Sequence, residues 1–204
     1  MNREEHWEHV YRTKKSDEVS WFQPRATVSL RLIADSGISQ GHSIIDVGGG
    51  ASVLVDDLLA ADFRDITVVD ISGEALAVSR QRLGEKAGAV QWIQADILKA
   101  ALSPERYDLW HDRAVYHFLT NEEDQAGYFR KMMRALRPKG HVIVATFAED
   151  GPTRCSGLDV QRYSPEQLQF KWRDQLKLIE AVPETHLTPA GKEQKFNYCL
   201  FRRV

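Results

Sequence analysis

Three carboxylates stand where short apolar runs end: Asp46 in Ser43-Ile44-Ile45-Asp46-Val47, Asp70 in Ile66-Thr67-Val68-Val69-Asp70-Ile71, and Asp96 after residues 89–95. An ionised carboxylate can accept two directed hydrogen bonds at once, each worth roughly 1.5–3 kcal/mol, which suits a ribose diol or an amino group. Asp70 follows Asp46 by about two dozen positions, near the ~20-residue separation at which an acid reaches a ribose in nucleotide-binding sheets. Gly48-Gly49-Gly50 follow the first acid, and without a Cβ they let the backbone turn sharply and approach a ligand. A second group, His111, Asp112 and His117, lies just beyond the run 107–110 and has the side chains that relay protons. Tyr11, Trp21 and Phe22 offer aromatic faces that attract a cation. Each has an ordinary alternative: a polar strand end, a histidine packed at a helix start, aromatics filling a core.

The elements that position these residues follow from the apolar pattern. Ile44, Ile45 and Val47 read as a buried parallel strand, and Val53, Leu54, Leu58 and Leu59 as the inner face of the helix after the glycine turn. That turn is not the dinucleotide fingerprint, because position 53 is Val53, and it lacks the Gly-Lys-Ser/Thr ending of a phosphate loop. Further strands are expected at 66–71, 89–94, 107–110 and 141–147, with helices at 3–14, 25–36, 73–84 (capped by Ser72) and 121–136 (Thr120 and Glu123 at capping-box spacing). Residues 137–140 read as a turn and 148–163 as a loop. Ser164-Pro165 starts a short helix, and strands 176–182 and 195–202, joined by a loop with Pro183, Pro189 and Gly191, form an antiparallel hairpin.

Strands alternating with helices imply an α/β fold, a doubly wound and mainly parallel sheet with helices on both faces. At 204 residues the chain reads as one domain: an N-terminal cap (1–43), a βα core (44–147), and a loop, short helix and hairpin (148–204). A net charge of −2 gives no electrostatic case for a nucleic-acid partner, and the basic face of Arg130, Lys131, Arg134, Arg137 and Lys139 reads as solvated helix surface. Cys155 and Cys199 form no metal-ligand cluster or disulfide framework. No run approaches a membrane span, and the polar start is not a signal peptide, so a cytoplasmic location is expected, with no membrane partner and no metal.

Asp46-x-Gly48-x-Gly50 resembles the first motif of the class I S-adenosylmethionine (SAM)-dependent methyltransferases, although many members have glycine where Ser52 stands. The resemblance covers about residues 40–204 and implies their seven-stranded Rossmann-like sheet, SAM as cofactor and S-adenosylhomocysteine (SAH) as product. It also implies cofactor contacts from Asp46, Gly48, Gly49 and Gly50 to the methionine part, from Asp70 and Ile71 around the ribose, and from Asp96 and Ile97 to the adenine, with His111 beside them. The fourth strand end lacks the Asn/Asp-Pro-Pro-Tyr/Phe motif of base-methylating enzymes. Its Asp112-Arg113-Ala114 resembles thiopurine-type enzymes, whereas Trp7-x-x-x-Tyr11 and Trp21-Phe22 are similar to small lysine-modifying ones. On this basis Asp112 and His117 are the catalytic candidates, and Tyr11, Trp21, Phe22, Arg113 and Tyr116 the lid and acceptor contacts. The implied reaction is methyl transfer to a small molecule or a protein side chain. A non-catalytic SAM-binding regulator and an aminopropyltransferase using decarboxylated SAM are the alternatives, and the oligomeric state stays open.

Overall fold

The structure, a computed structural model, describes residues 2–204. Its centre is β1 (Ser43–Val47), buried along its whole length, as a strand covered on both faces must be. Around it run β2 (Asp65–Asp70), β3 (Val90–Gln94), β4 (Tyr107–Arg113) and β5 (Leu136–Phe147), these five strands all parallel to one another. Two short strands, β6 (Arg154–Cys155) and β7 (Leu158–Asp159), form a separate hairpin. The long strands β8 (Leu176–Leu187) and β9 (Glu193–Arg203) complete a seven-stranded sheet of order β3-β2-β1-β4-β5-β9-β8, with β9 antiparallel to β5 and β8.

Six α-helices flank the sheet: α1 (Arg3–Thr13), α2 (Thr27–Asp35), α3 (Leu54–Ala60), α4 (Gly73–Leu83), α5 (Glu122–Ala135) and α6 (Pro165–Trp172). Their starts follow capping chemistry. Ser72 accepts from the Ala75 N–H, and Asn2 with Glu5 and Ser164 with Gln167 form capping boxes. Two cores result, one per face. Ile45, Val47 and Trp110 pack under Tyr128 and Met132 of α5 and Leu168 and Trp172 of α6. Ile44, Val68 and Leu109 pack under Leu32 of α2, Leu58 of α3 and Leu76 of α4. Among the described residues no helix is long and apolar enough to cross a membrane.

Several boundaries differ from the sequence expectation, each for a local reason. The helix cap before α5 is Asn121, which accepts from the Asp124 N–H, and not Thr120. The 137–140 segment kinks β5 instead of preceding it: Lys139 adopts φ +64° and the β4 register shifts between Tyr107 and Leu109. Pro183 lies within β8 and not in a loop, and it is tolerated there because β8 is the outermost strand. The β6–β7 hairpin was not expected in the 148–163 loop. Ser156 and Gly157 both take positive φ (49° and 81°), the conformation a tight two-residue hairpin turn requires.

Candidate functional site

The strand order reverses at β1, whose neighbours are β2 on one side and β4 on the other. Open α/β sheets bind ligands in the crevice beyond the strand ends at such a switch point. The glycine loop lies there. Gly48 adopts φ +69° and its N–H donates to the Val69 carbonyl at 2.7 Å. A Cβ on Gly49 would fall 2.6 Å from the Asp46 carboxyl carbon, and one on Gly50 would fall 2.5 Å from both Asp70 Oδ2 and the Ala75 Cβ. Both positions therefore exclude a side chain.

Asp46 is 2 % exposed beneath this loop. Its Oδ1 lies 2.7 Å from His111 Nδ1, and His111 Nε2 lies 2.8 Å from Ser29 Oγ. Asp46 Oδ2 has no protein partner. A buried carboxylate oxygen left unpaired is rare enough to need an explanation, and one side of Asp46 lines a cavity beside the glycine loop. Asp70 is also buried, and its two oxygens accept from the Gly50 and Ser72 N–H groups at 2.9 and 2.8 Å. Burial pushes its carboxyl up to about 6, against the downward pull of those two bonds. Asp96 accepts from the Leu98 N–H at 2.9 Å.

A cleft of about 900 Å³, counted to its open mouth, runs over the strand ends. Gly48, Asp70, Ile71, Asp96 and Ile97 line one half of it, and Tyr11, Trp21 and Arg113 the other. A smaller adjoining cavity of about 540 Å³ is bordered by Asp46, Gly49, His111 and Phe22, and shares Gly48, Tyr11, Trp21 and Arg113 with the first. Gly50 borders neither; it acts through its N–H on Asp70.

The structure separates three expected residues from this space. Asp112 was expected to face the reacting atoms. Successive strand residues face opposite sides, and Asp46 and His111, paired in register, already occupy the glycine-loop side. Asp112 therefore points into the opposite core, fully buried, and accepts from Val115 N (2.8 Å), Tyr116 N (3.0 Å) and the Tyr128 hydroxyl (2.5 Å). It closes the 3₁₀ turn Tyr116–Phe118. His117 is fully buried, with its ring against Phe118 and Phe147 and its Nδ1 3.4 Å from the Phe147 N–H. Burial pushes it down to about 3, with the Arg113 charge adding to the effect, so it is neutral at ordinary pH. Tyr116 packs among Tyr128, Tyr163 and Trp172 instead of touching an acceptor. Both ring nitrogens of His111 are engaged, so it orients Asp46 and is not free to relay a proton.

Helix α1 lies over the cleft. Trp7 meets Trp21 and Phe118 edge-on at 5.6 and 5.2 Å between ring centroids, and Trp21 Nε1 donates to the Tyr11 hydroxyl at 3.2 Å. The residue that fastens this helix was not singled out from the sequence. Glu8 accepts from Gly73 N (2.7 Å), Ser72 Oγ (3.1 Å), Glu74 N (3.2 Å) and Gln94 Nε2 (3.3 Å). Its carboxylate thus satisfies free N–H groups at the α4 N-terminus, where the helix dipole favours an anion. We expect Glu8→Ala to loosen α1 by about 1–3 kcal/mol. Amide exchange across residues 3–13 should accelerate while β1 and β4 keep their protection, and unchanged exchange in α1 would show that the aromatic contacts and the Arg3–Asp124 and Arg12–Glu74 pairs hold it without Glu8.

Arg113 sits at the junction of the two cavities. Its Nε donates to the Tyr198 hydroxyl (2.7 Å) and its Nη1 to the Trp21 carbonyl (2.9 Å), while the guanidinium lies 4.6 Å over the Phe196 ring. Among the described residues no group of His, Cys, Asp and Glu is arranged to hold a metal ion.

Residues 44–140 match the model of a family described as a methyltransferase domain. The chain is 30% identical over 120 residues to the ubiquinone/menaquinone biosynthesis C-methyltransferase UbiE of Ectopseudomonas mendocina, covering 57% of this chain and 46% of that protein. The Pseudomonas fluorescens counterpart is 30% identical over 118 residues, covering 56% and 45%. The chain thus spans about half the length of the curated relatives it matches. Among solved structures it resembles the Burkholderia thailandensis 1,6-didemethyltoxoflavin-N1-methyltransferase with bound 1,6-didemethyltoxoflavin and SAH (TM-score 0.73, 20% identity, 97% of this chain and 84% of that one). It also resembles the N-methyltransferase NodS of Bradyrhizobium japonicum in complex with SAH (TM-score 0.73, 19% identity, 96% and 97%). At these identities the structural likeness is one of fold.

Proposed function

We propose, from the match of residues 44–140 to a methyltransferase domain and the likeness to the C-methyltransferase relatives, that the chain is a class I SAM-dependent methyltransferase that methylates a small-molecule acceptor held in the cleft under α1. The observation that carries this reading is the unpaired Asp46 Oδ2, buried under a loop whose glycines leave no room for a Cβ. SAM, when bound, supplies a methyl carbon on a positively charged sulfur and an ammonium group.

The residues present fit that cofactor. Asp46 Oδ2 is an acceptor for the ammonium, and His111, held by Ser29, fixes the carboxylate that receives it. Asp70 spends one lone pair of each oxygen on the backbone and keeps the others for a ribose diol. Asp96 and Ile97 border the far end, where an adenine fits between apolar walls. Trp7, Tyr11 and Trp21 close the other half and exclude water, which strengthens every electrostatic contact inside. The small-molecule reading is favoured over a protein side chain because α1 and the Trp21 segment lie across the cleft. The neighbour from Burkholderia thailandensis holds 1,6-didemethyltoxoflavin together with SAH.

Calorimetry tests the reading: SAM and SAH should bind, with NAD and ATP at least a hundredfold weaker. Radiolabelled SAM incubated with cell lysate should then place label in the small-molecule fraction. Tight NAD binding without SAH binding would overturn the cofactor, and label confined to protein would overturn the acceptor class.

A further inference from the structure

The acceptor half of the cleft holds a cation and no base. Besides Arg3 and the two carboxylates assigned to the cofactor, Asp70 and Asp96, the ionisable groups that line the cleft are Arg113, Tyr11 and Cys155. Burial pushes the Cys155 thiol up to about 11, and the Tyr11 hydroxyl is raised by burial and by Asp70, so both keep their protons at neutral pH. Asp112 and His117 lie outside the cleft, and His111 is engaged at both nitrogens. An acceptor that must lose a proton during transfer therefore finds no side chain to take it.

Arg113, in contrast, keeps its charge throughout the working pH range. Its Nη2 is buried without a hydrogen-bond partner, and Glu184 Oε2, its ion-pair partner among the described residues, stands off at 3.8 Å. The guanidinium lies over the Phe196 ring, and Trp7, Trp21, Phe118 and Phe147 also line the cleft. These are flat apolar walls, which suit a flat ligand. Glu184, whose Oε2 also lacks a hydrogen-bond partner, is the one carboxylate beside Arg113 among the described residues. The histidines and the tyrosine near it are uncharged at neutral pH, since burial, with Arg113 adding to it, lowers His117 and His186, and burial pushes Tyr198 up to about 12.

Resting on the methyltransferase reading, we propose that the acceptor is a small planar molecule that reacts as an anion, an acidic phenol, thiol or enol, with its negative charge held against Arg113 Nη2. The anion reaches the site already deprotonated. It forms the new bond to the methyl carbon while the carbon–sulfur bond breaks and its electron pair stays on sulfur. A neutral methylated acceptor and a neutral thioether result, and no proton moves. The guanidinium supplies positioning and charge, the part of the work a preorganised site does best.

The test uses the full chain saturated with SAH and two flat probes, 4-nitrophenol and nitrobenzene. The phenol should bind as its yellow phenolate with its apparent pKa lowered by about one unit or more, and nitrobenzene should bind at least tenfold more weakly. In Arg113→Gln the pKa shift and the preference for the phenol should both disappear, and Arg113→Lys should restore part of the shift. The wild-type comparison stands alone should the glutamine variant not fold. Equal binding of the two probes, an unshifted or raised phenol pKa, or no binding of either would overturn the proposal. Failure of SAH itself to bind would instead overturn the methyltransferase reading beneath it.

Discussion

Asp112→Ala lowers the stability of the fold by about 2–4 kcal/mol and leaves SAH affinity within threefold of wild type. The substitution strips the acceptor from three buried donors at once: the Val115 and Tyr116 N–H groups and the Tyr128 hydroxyl. Each unsatisfied buried donor costs about 1–3 kcal/mol, partly offset by the relief of removing a buried charge. In a domain of this size the melting temperature should fall by roughly 5–15 °C. The pH dependence identifies the cause. Burial pushes the Asp112 carboxyl up to about 6, above its unfolded value. A group whose folded pKa is raised contributes most below its unfolded pKa and loses that contribution as pH rises through the folded one. The deficit of the alanine variant should therefore be larger near pH 4.5 than near pH 7.5. A variant that melts like wild type but has lost turnover would return Asp112 to the chemistry.

Asp70→Ala has the second large effect, on the cofactor. Loss of the proposed ribose contacts should weaken SAH by about 2–4 kcal/mol, or roughly 30- to 700-fold. The same carboxylate fastens the Gly50 and Ser72 N–H groups, so the loop and the start of α4 loosen with it. Asp70 also titrates high, at about 6, chiefly through burial, with Asp46 and Glu8 adding smaller upward pushes. Its ionised form is the better acceptor, so wild-type SAH affinity should be level above about pH 7 and fall as pH drops through 6. Calorimetry from pH 5 to 8 checks this, and a flat profile with an unweakened alanine variant would place the ribose elsewhere.

The sheet was legible because its strands are short β-branched runs and its ligand end is marked by glycines. Asp46, Asp70 and Asp96, which border the two cavities, could be singled out for the same reason, since an acid at an apolar strand end is a local signal. Asp112 was misplaced because the fourth run continues to Arg113 instead of stopping at Trp110. With the full strand in view, two-residue alternation puts Trp110 and Asp112 on one side and His111 on the other, and Trp110 donates to the same Tyr128 hydroxyl that Asp112 receives. Glu8 left no trace because its partners at Ser72–Glu74 are distant in sequence, and an acid on an amphipathic helix reads as solvent-facing. The Arg113 environment was equally hidden. Its partners come from Trp21 at one end of the chain and Glu184, Phe196 and Tyr198 at the other, and no local window spans them.

The insertion of β9 between β5 and β8 has a consequence for the chain as it is synthesised. Until residues 193–203 leave the ribosome, β5 is a bare outer strand whose Val142, Ile143 and Val144 have no neighbour on one side. An apolar, unpaired strand of that kind is a template for pairing with another nascent chain. The finished molecule puts β8 at the margin instead, where Pro183 lacks an N–H and Glu180 and Glu184 pair with Arg31 and Arg113. The exposure to aggregation thus ends only once residues 193–203 are made, and a stop codon anywhere in the β8–β9 hairpin should yield insoluble protein, not a soluble, weakened one.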